Sequence, residues 1–116
     1  MGLAGGIAMD RRYRPIIEFM YPDFMWVAAD QVFNQIGKAR HMFGGTTDVP
    51  LVLRTKIAMG TGYGSQHSLD PAGMFATSTG WRQRISKRRP ATGTPPTRWC
   101  AAGGPVTSWS RSVAGV

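Results

Sequence analysis

Residues 83–116 hold six Lys/Arg, no acid, and no Leu, Met or Phe, whereas residues 1–82 hold eight Lys/Arg, all six acids, and every Leu, Met and Phe of the chain. This break near Gln83 limits what the chain can fold into. Large flexible apolar side chains, from which a core is packed, are confined to the first part. The second part, dominated by Arg, Pro, Thr, Ser, Gly and Ala, cannot bury enough apolar surface to offset its ordering entropy. Arg88-Arg89-Pro90 and Pro95-Pro96 add a low-complexity character. The expectation is one folded unit over residues 1–82 followed by a disordered basic tail over residues 83–116.

A chain of 116 residues makes one small domain at most. With 42% apolar and 17% charged residues it reads as globular. No run approaches the ~18 apolar residues of a membrane span, and no basic region leads into an apolar stretch at the N-terminus, so no membrane association is expected and the expected location is cytoplasmic. The single cysteine, Cys100, excludes an internal disulfide framework and a multi-Cys zinc site. The formal charge of +8 is mostly the tail's. Nucleic-acid binding through Arg84, Lys87, Arg88, Arg89, Arg98 and Arg111, with Trp99 and Trp109 stacking on bases, is therefore one functional class to weigh. An acid-free disordered segment attracts polyanions whatever its role, and no specific nucleic-acid partner is expected.

In the first part, helix and strand signals alternate. Gly2 to Met9 is a small-residue stretch suited to a helix that approaches its neighbour closely. Arg14 to Met20 is a short apolar run after Pro15 and predicts a buried strand. Tyr21-Pro22-Asp23 supplies a turn with an N-cap candidate. Met25, Ala28, Ala29, Val32, Ile36 and Ala39 then recur at spacings of three and four, predicting one helix that stops at Gly44-Gly45. Pro50 to Thr55 predicts a second buried strand, Ile57 to Gly64 a glycine-rich loop, and Asp70-Pro71 the start of a short helix through Ala76. The order points to an α/β architecture with a parallel sheet.

Few residues carry chemistry. Gly60-Thr61-Gly62-Tyr63-Gly64 resembles a phosphate cradle only loosely, without the Lys-Ser/Thr of a P-loop, and reads as well as a loop that passes close to a neighbour. His67 leaves this loop just before a helix start; it is either a proton-moving group or a hydrogen-bonded bystander. His41, beside Lys38 and Arg40, suits the C-terminal end of a helix. Glu18 in an apolar strand calls for a basic partner such as Arg14. Met20, Tyr21 and Phe24 cluster where a strand gives way to a helix, which in open α/β sheets is the edge where ligands bind. They serve equally as core and staple residues.

Taken together, Gly2-Leu3-Ala4, Arg14-Pro15-Ile16-Ile17-Glu18-Phe19-Met20, Ala28-Ala29-Asp30-Gln31-Val32, Val49-Pro50-Leu51-Val52-Leu53-Arg54-Thr55, Gly62-Tyr63-Gly64-Ser65-Gln66-His67-Ser68, Leu69 to Ala76, and Gly80-Trp81-Arg82 resemble one family. It is the beta subunit of the thiamin-diphosphate-dependent 2-oxo acid dehydrogenases, with pyruvate and acetoin dehydrogenase beta chains the nearest in character. The resemblance runs over about residues 2–82, to the break in composition.

The resemblance implies a transketolase-like pyrimidine-binding module, a partial parallel α/β sheet, in which thiamin diphosphate is shared with an alpha subunit that holds the diphosphate and its magnesium. Met20 and Phe24 match positions against the aminopyrimidine ring, and His67 matches a catalytic histidine facing the substrate. No metal ligand is assigned to this chain. The implied partners are the alpha subunit, a second beta subunit, and the acyltransferase core of the complex. The family's glutamate that hydrogen-bonds a pyrimidine nitrogen would precede Gly2, and Glu18 does not replace it; the family's C-terminal domain is not in this sequence. The expectation is a fragment of an oxidoreductase beta subunit that lacks turnover by itself, with residues 83–116 suggesting translation out of frame. The alternatives are an inactive gene remnant and a small basic nucleic-acid-binding protein.

Overall fold

Proline fixes its own φ and drives the preceding residue to extended backbone. Arg14-Pro15 accordingly opens the first strand, β1 (Ile16–Phe19). The computed structural model describes residues 1–57, 63–86 and 106–111. Within them β2 (Val52–Ile57), β3 (Arg82–Ser86) and β4 (Val106–Arg111) join β1 in one sheet of order β1-β2-β4-β3. Every pairing is parallel, with Ile16 opposite Val52, Val52 opposite Val106, and Arg82 opposite Val106. This is the parallel α/β module that the alternation of elements predicts.

The expectation of a tail without order does not extend to the residues of β3 and β4. A ladder is made by backbone N–H and C=O groups, which any residue but proline supplies, and Val106, Thr107 and Trp109 are types that suit a pleated backbone. The proposed basic residues Lys87, Arg88, Arg89 and Arg98, together with Trp99, lie outside the described residues.

The two strands predicted as buried differ. Leu51, Val52, Leu53 and Ile57 are each at most 2% exposed. In β1 only Ile17 and Phe19 turn to the core, while Ile16 is 54% exposed and Glu18 is exposed beside it. β1 lies at the end of the sheet, and its alternate residues differ: Ile17 and Phe19 pack against the core, whereas Ile16 and Glu18 face away from it. Glu18 does have a basic partner, but it is Arg54, its cross-strand neighbour in the register, at 3.1 Å. Arg14 instead donates to the Arg11 carbonyl at 2.9 Å.

The single helix expected after Asp23 is a helical path of three geometries: a tight 3-10 segment Pro22–Ala28, a widened π segment Asp30–Ile36, and α2 (Gly37–Met42). Its apolar stripe is as the spacing predicts, with Met25, Val32, Ile36 and Ala39 all buried. At the end of the widened segment the Val32 carbonyl accepts both the Gly37 N–H, five residues on, and the Trp81 indole N–H at 3.0 Å. The path ends where predicted: Gly44 has φ +59°, Gly45 N–H reaches the Arg40 carbonyl at 2.7 Å, and Gly44 N–H reaches that of His41 at 3.1 Å.

The helix α1 (Gly2–Met9) seats Gly5 and Ala8 against this path, with room at Gly5 set by Ile36, whose Cγ1 would lie 3.1 Å from an added Cβ. The helix α3 (Ala72–Thr77) starts after Asp70-Pro71, and the Asp70 carboxylate accepts the Ala72 N–H at 3.0 Å. Its Phe75 fills the core between Phe33 and Trp81, at centroid distances of 5.0 and 5.4 Å. Gly80, at φ +85°, lets the chain turn over α2: an added Cβ would fall 1.8 Å from the Gly37 carbonyl oxygen.

Candidate functional site

Because β1 and β2 are parallel, the segments that leave them emerge on the same edge of the sheet. One leads from Phe19 through Met20 and Tyr21 into the 3-10 segment; the other arrives, past the glycine-rich stretch, at a short turn Ser65–His67. Two polar contacts hold the second segment. Ser68 Oγ donates to the Gly64 carbonyl at 2.6 Å, and the Leu69 N–H donates to Asp23 Oδ2 at 3.3 Å. The Asp23 carboxylate, an N-cap candidate by sequence, thus ties the two segments together instead of capping its own helix.

His67 sits at the centre of an aromatic cluster. Its ring meets Tyr21 edge-on at 4.8 Å and Phe24 edge-on at 5.3 Å, with Tyr63 at 6.5 Å. Tyr21 also packs against Phe24 at 6.3 Å and Tyr63 at 5.8 Å. The imidazole is half-buried, and its Nδ1 is buried without a hydrogen-bond partner among the described residues. Phe24 keeps 41% of its surface exposed, and Met20, in the turn after β1, keeps 68%. A flat apolar surface beside an imidazole with an unused nitrogen can stack a heteroaromatic ring and hold or move a proton at its rim.

The structure therefore brings Phe24 and His67 together and sets Met20 at the same edge of the sheet, at the start of the segment that carries Tyr21 and Phe24. Two neighbours escape a reading by motif. Tyr63 is hidden among glycines that draw attention to their backbone. Lys56 lies in a strand, and only the pleat, which exposes Arg54 and Lys56 while burying Leu53, Thr55 and Ile57, puts it on the open face; its Nζ stands over the Tyr21 ring at 5.2 Å. Gly60, Thr61 and Gly62 of the loose phosphate-cradle motif lie outside the described residues. His41 is exposed in the last turn of α2, as its basic surroundings predict. No group of His, Cys, Asp and Glu among the described residues could hold a metal, and none of their helices is long and apolar enough to cross a membrane.

Residues 1–92 match the family described as the transketolase pyrimidine-binding domain. Among curated proteins, the chain is 49% identical over 55 residues to the beta subunit of acetoin:2,6-dichlorophenolindophenol oxidoreductase of Cupriavidus necator, covering 47% of this chain and 16% of that one. The same subunit of Bacillus subtilis is 43% identical over 67 residues, 58% of this chain and 20% of the relative. The mitochondrial pyruvate dehydrogenase E1 component subunit beta of Saccharomyces cerevisiae is 41% identical over 69 residues, 60% of this chain and 19% of the relative. In these alignments the chain spans no more than a fifth of its relatives' length.

Proposed function

The chain belongs to the transketolase pyrimidine-binding domain family, and from that premise we propose that it is part of the beta subunit of a thiamin-diphosphate-dependent pyruvate, related 2-oxo acid or acetoin dehydrogenase. Its partner is an alpha subunit that holds the diphosphate and magnesium, with a second beta subunit and an acyltransferase core completing the assembly. A cytoplasmic location belongs to the same proposal. The observation that carries it is the family match over a segment whose His67, Tyr21 and Phe24 converge at the carboxyl edge of β1 and β2.

The residues fit an aminopyrimidine. Phe24 and Met20 offer exposed apolar surface to a flat ring, and the unpartnered Nδ1 of His67 offers a polar atom beside it. When bound, thiamin diphosphate supplies the electron sink that allows a bond next to a carbonyl carbon to break. Met20 and Phe24 exclude water and orient the ring. His67, facing the substrate, stabilises developing charge or delivers a proton from its imidazole.

The test is titration of the chain with 4-amino-5-hydroxymethyl-2-methylpyrimidine, followed by NMR at the His67 and Phe24 rings. A saturable shift of both is expected. Phe24→Ala, which loses one stacking face worth about 1.4 kcal/mol, should weaken it about tenfold. A ring that leaves His67 unmoved at saturating concentration would refute the assignment.

A further inference from the structure

We propose that Lys56 receives the carboxylate of the substrate, so that the site selects an anionic 2-oxo acid over neutral acetoin; this rests on the aminopyrimidine site described above. The relatives act on molecules that differ in this one respect, since pyruvate carries a charge and acetoin does not.

Lys56 is the next residue after the last β1–β2 pair, Phe19 opposite Thr55, and so stands level with the turn that begins at Met20. Its ammonium lies 5.2 Å from the centre of the Tyr21 ring, and that ring meets His67 at 4.8 Å. All six acids of the chain are among the described residues, and none is within ion-pair distance of Lys56. The nearby carboxylate in the ladder, Glu18, is held by Arg54 at 3.1 Å. The ammonium thus keeps a charge for which the described residues supply no anion, and it borders the same Tyr21 ring that His67 packs against. A phosphate group is best met by several donors or a bidentate guanidinium. A single ammonium over an aromatic face, with one imidazole on the same tyrosine ring, matches a small carboxylate whose neighbouring carbonyl lies toward His67.

The experiment uses the full chain and its K56M and K56R variants, with pyruvate, acetoin and inorganic phosphate as probes, and follows the His67 resonances. The Trp81 indole signal reports that each variant keeps its fold. Pyruvate should bind native chain more tightly than acetoin or phosphate. K56M, which keeps the apolar stem and loses the charge, should weaken pyruvate about threefold to fivefold and leave acetoin unchanged, as a solvent-exposed ion pair predicts. K56R should retain the preference for pyruvate. Equal binding of pyruvate and acetoin by native chain, unchanged pyruvate binding in K56M, or tighter binding of phosphate than of pyruvate would each overturn the proposal. The aminopyrimidine titration of native chain separates the two levels: if that ring shifts His67 while K56M binds pyruvate normally, only the role of Lys56 fails.

Discussion

Strands β2 and β4 lie side by side, with Val52 opposite Val106 and Thr55 opposite Trp109, yet they come from parts of the chain with opposite composition. β2 is flanked by residues chosen for burial, and Leu51, Leu53 and Ile57 join Val32, Ile36 and Phe75 in one core. β4 comes from the part without Leu, Met or Phe. Backbone pairing is common to both strands; a hydrophobic strand and an apolar helical layer to match it are written only into the first part. Hydrogen bonds of a ladder exchange with water at small net gain, while burial of large side chains contributes most of the stability of a small domain. The contrast teaches that the sheet's order and the sheet's strength are separate properties.

The sharpest test is in the core. Phe75→Ala should lower the unfolding free energy by about 4 kcal/mol in urea denaturation, because it empties the space between Phe33 and Trp81. A loss under about 1 kcal/mol would mean that β2 owes no more to the helical layer than β4 does. Gly80→Ala should cost about 3 kcal/mol, since its φ is +85° and its Cβ would meet the Gly37 carbonyl; the same denaturation curve reads it. Amide exchange should be about a hundredfold slower in Leu53–Ile57 than in Thr107–Arg111, and equal protection would break the comparison. Arg54→Gln should change stability by less than about 0.5 kcal/mol, because the side chains of Arg54 and Glu18 are 61% and 49% exposed.

Much of the fold was legible. The Pro-led strand at Ile16, the apolar spacing from Met25 to Ala39, the Gly44-Gly45 stop and the Asp70-Pro71 start are each local chemistry, and each appears where the residues place it. The π segment was not, because the contact that accompanies it, the Trp81 indole bonded to the Val32 carbonyl, spans 49 residues of sequence. The exposed face of β1 was not, because an apolar run reads alike at the edge and the centre of a sheet.

For the site, the sequence by itself determined the chemistry of the side chains on offer, an imidazole at His67 and apolar groups at Met20 and Phe24, and it places every Leu, Met and Phe within residues 1–82. Only the tertiary structure decided which of them meet. Parallel pairing of β1 and β2 carries both exits to one edge, Asp23 ties them, Tyr21 and Tyr63 pack near His67, and Lys56 reaches the Tyr21 ring, through contacts that no local spacing encodes. Local propensity acts within a few residues, whereas a site at a sheet edge is assembled from segments more than forty residues apart.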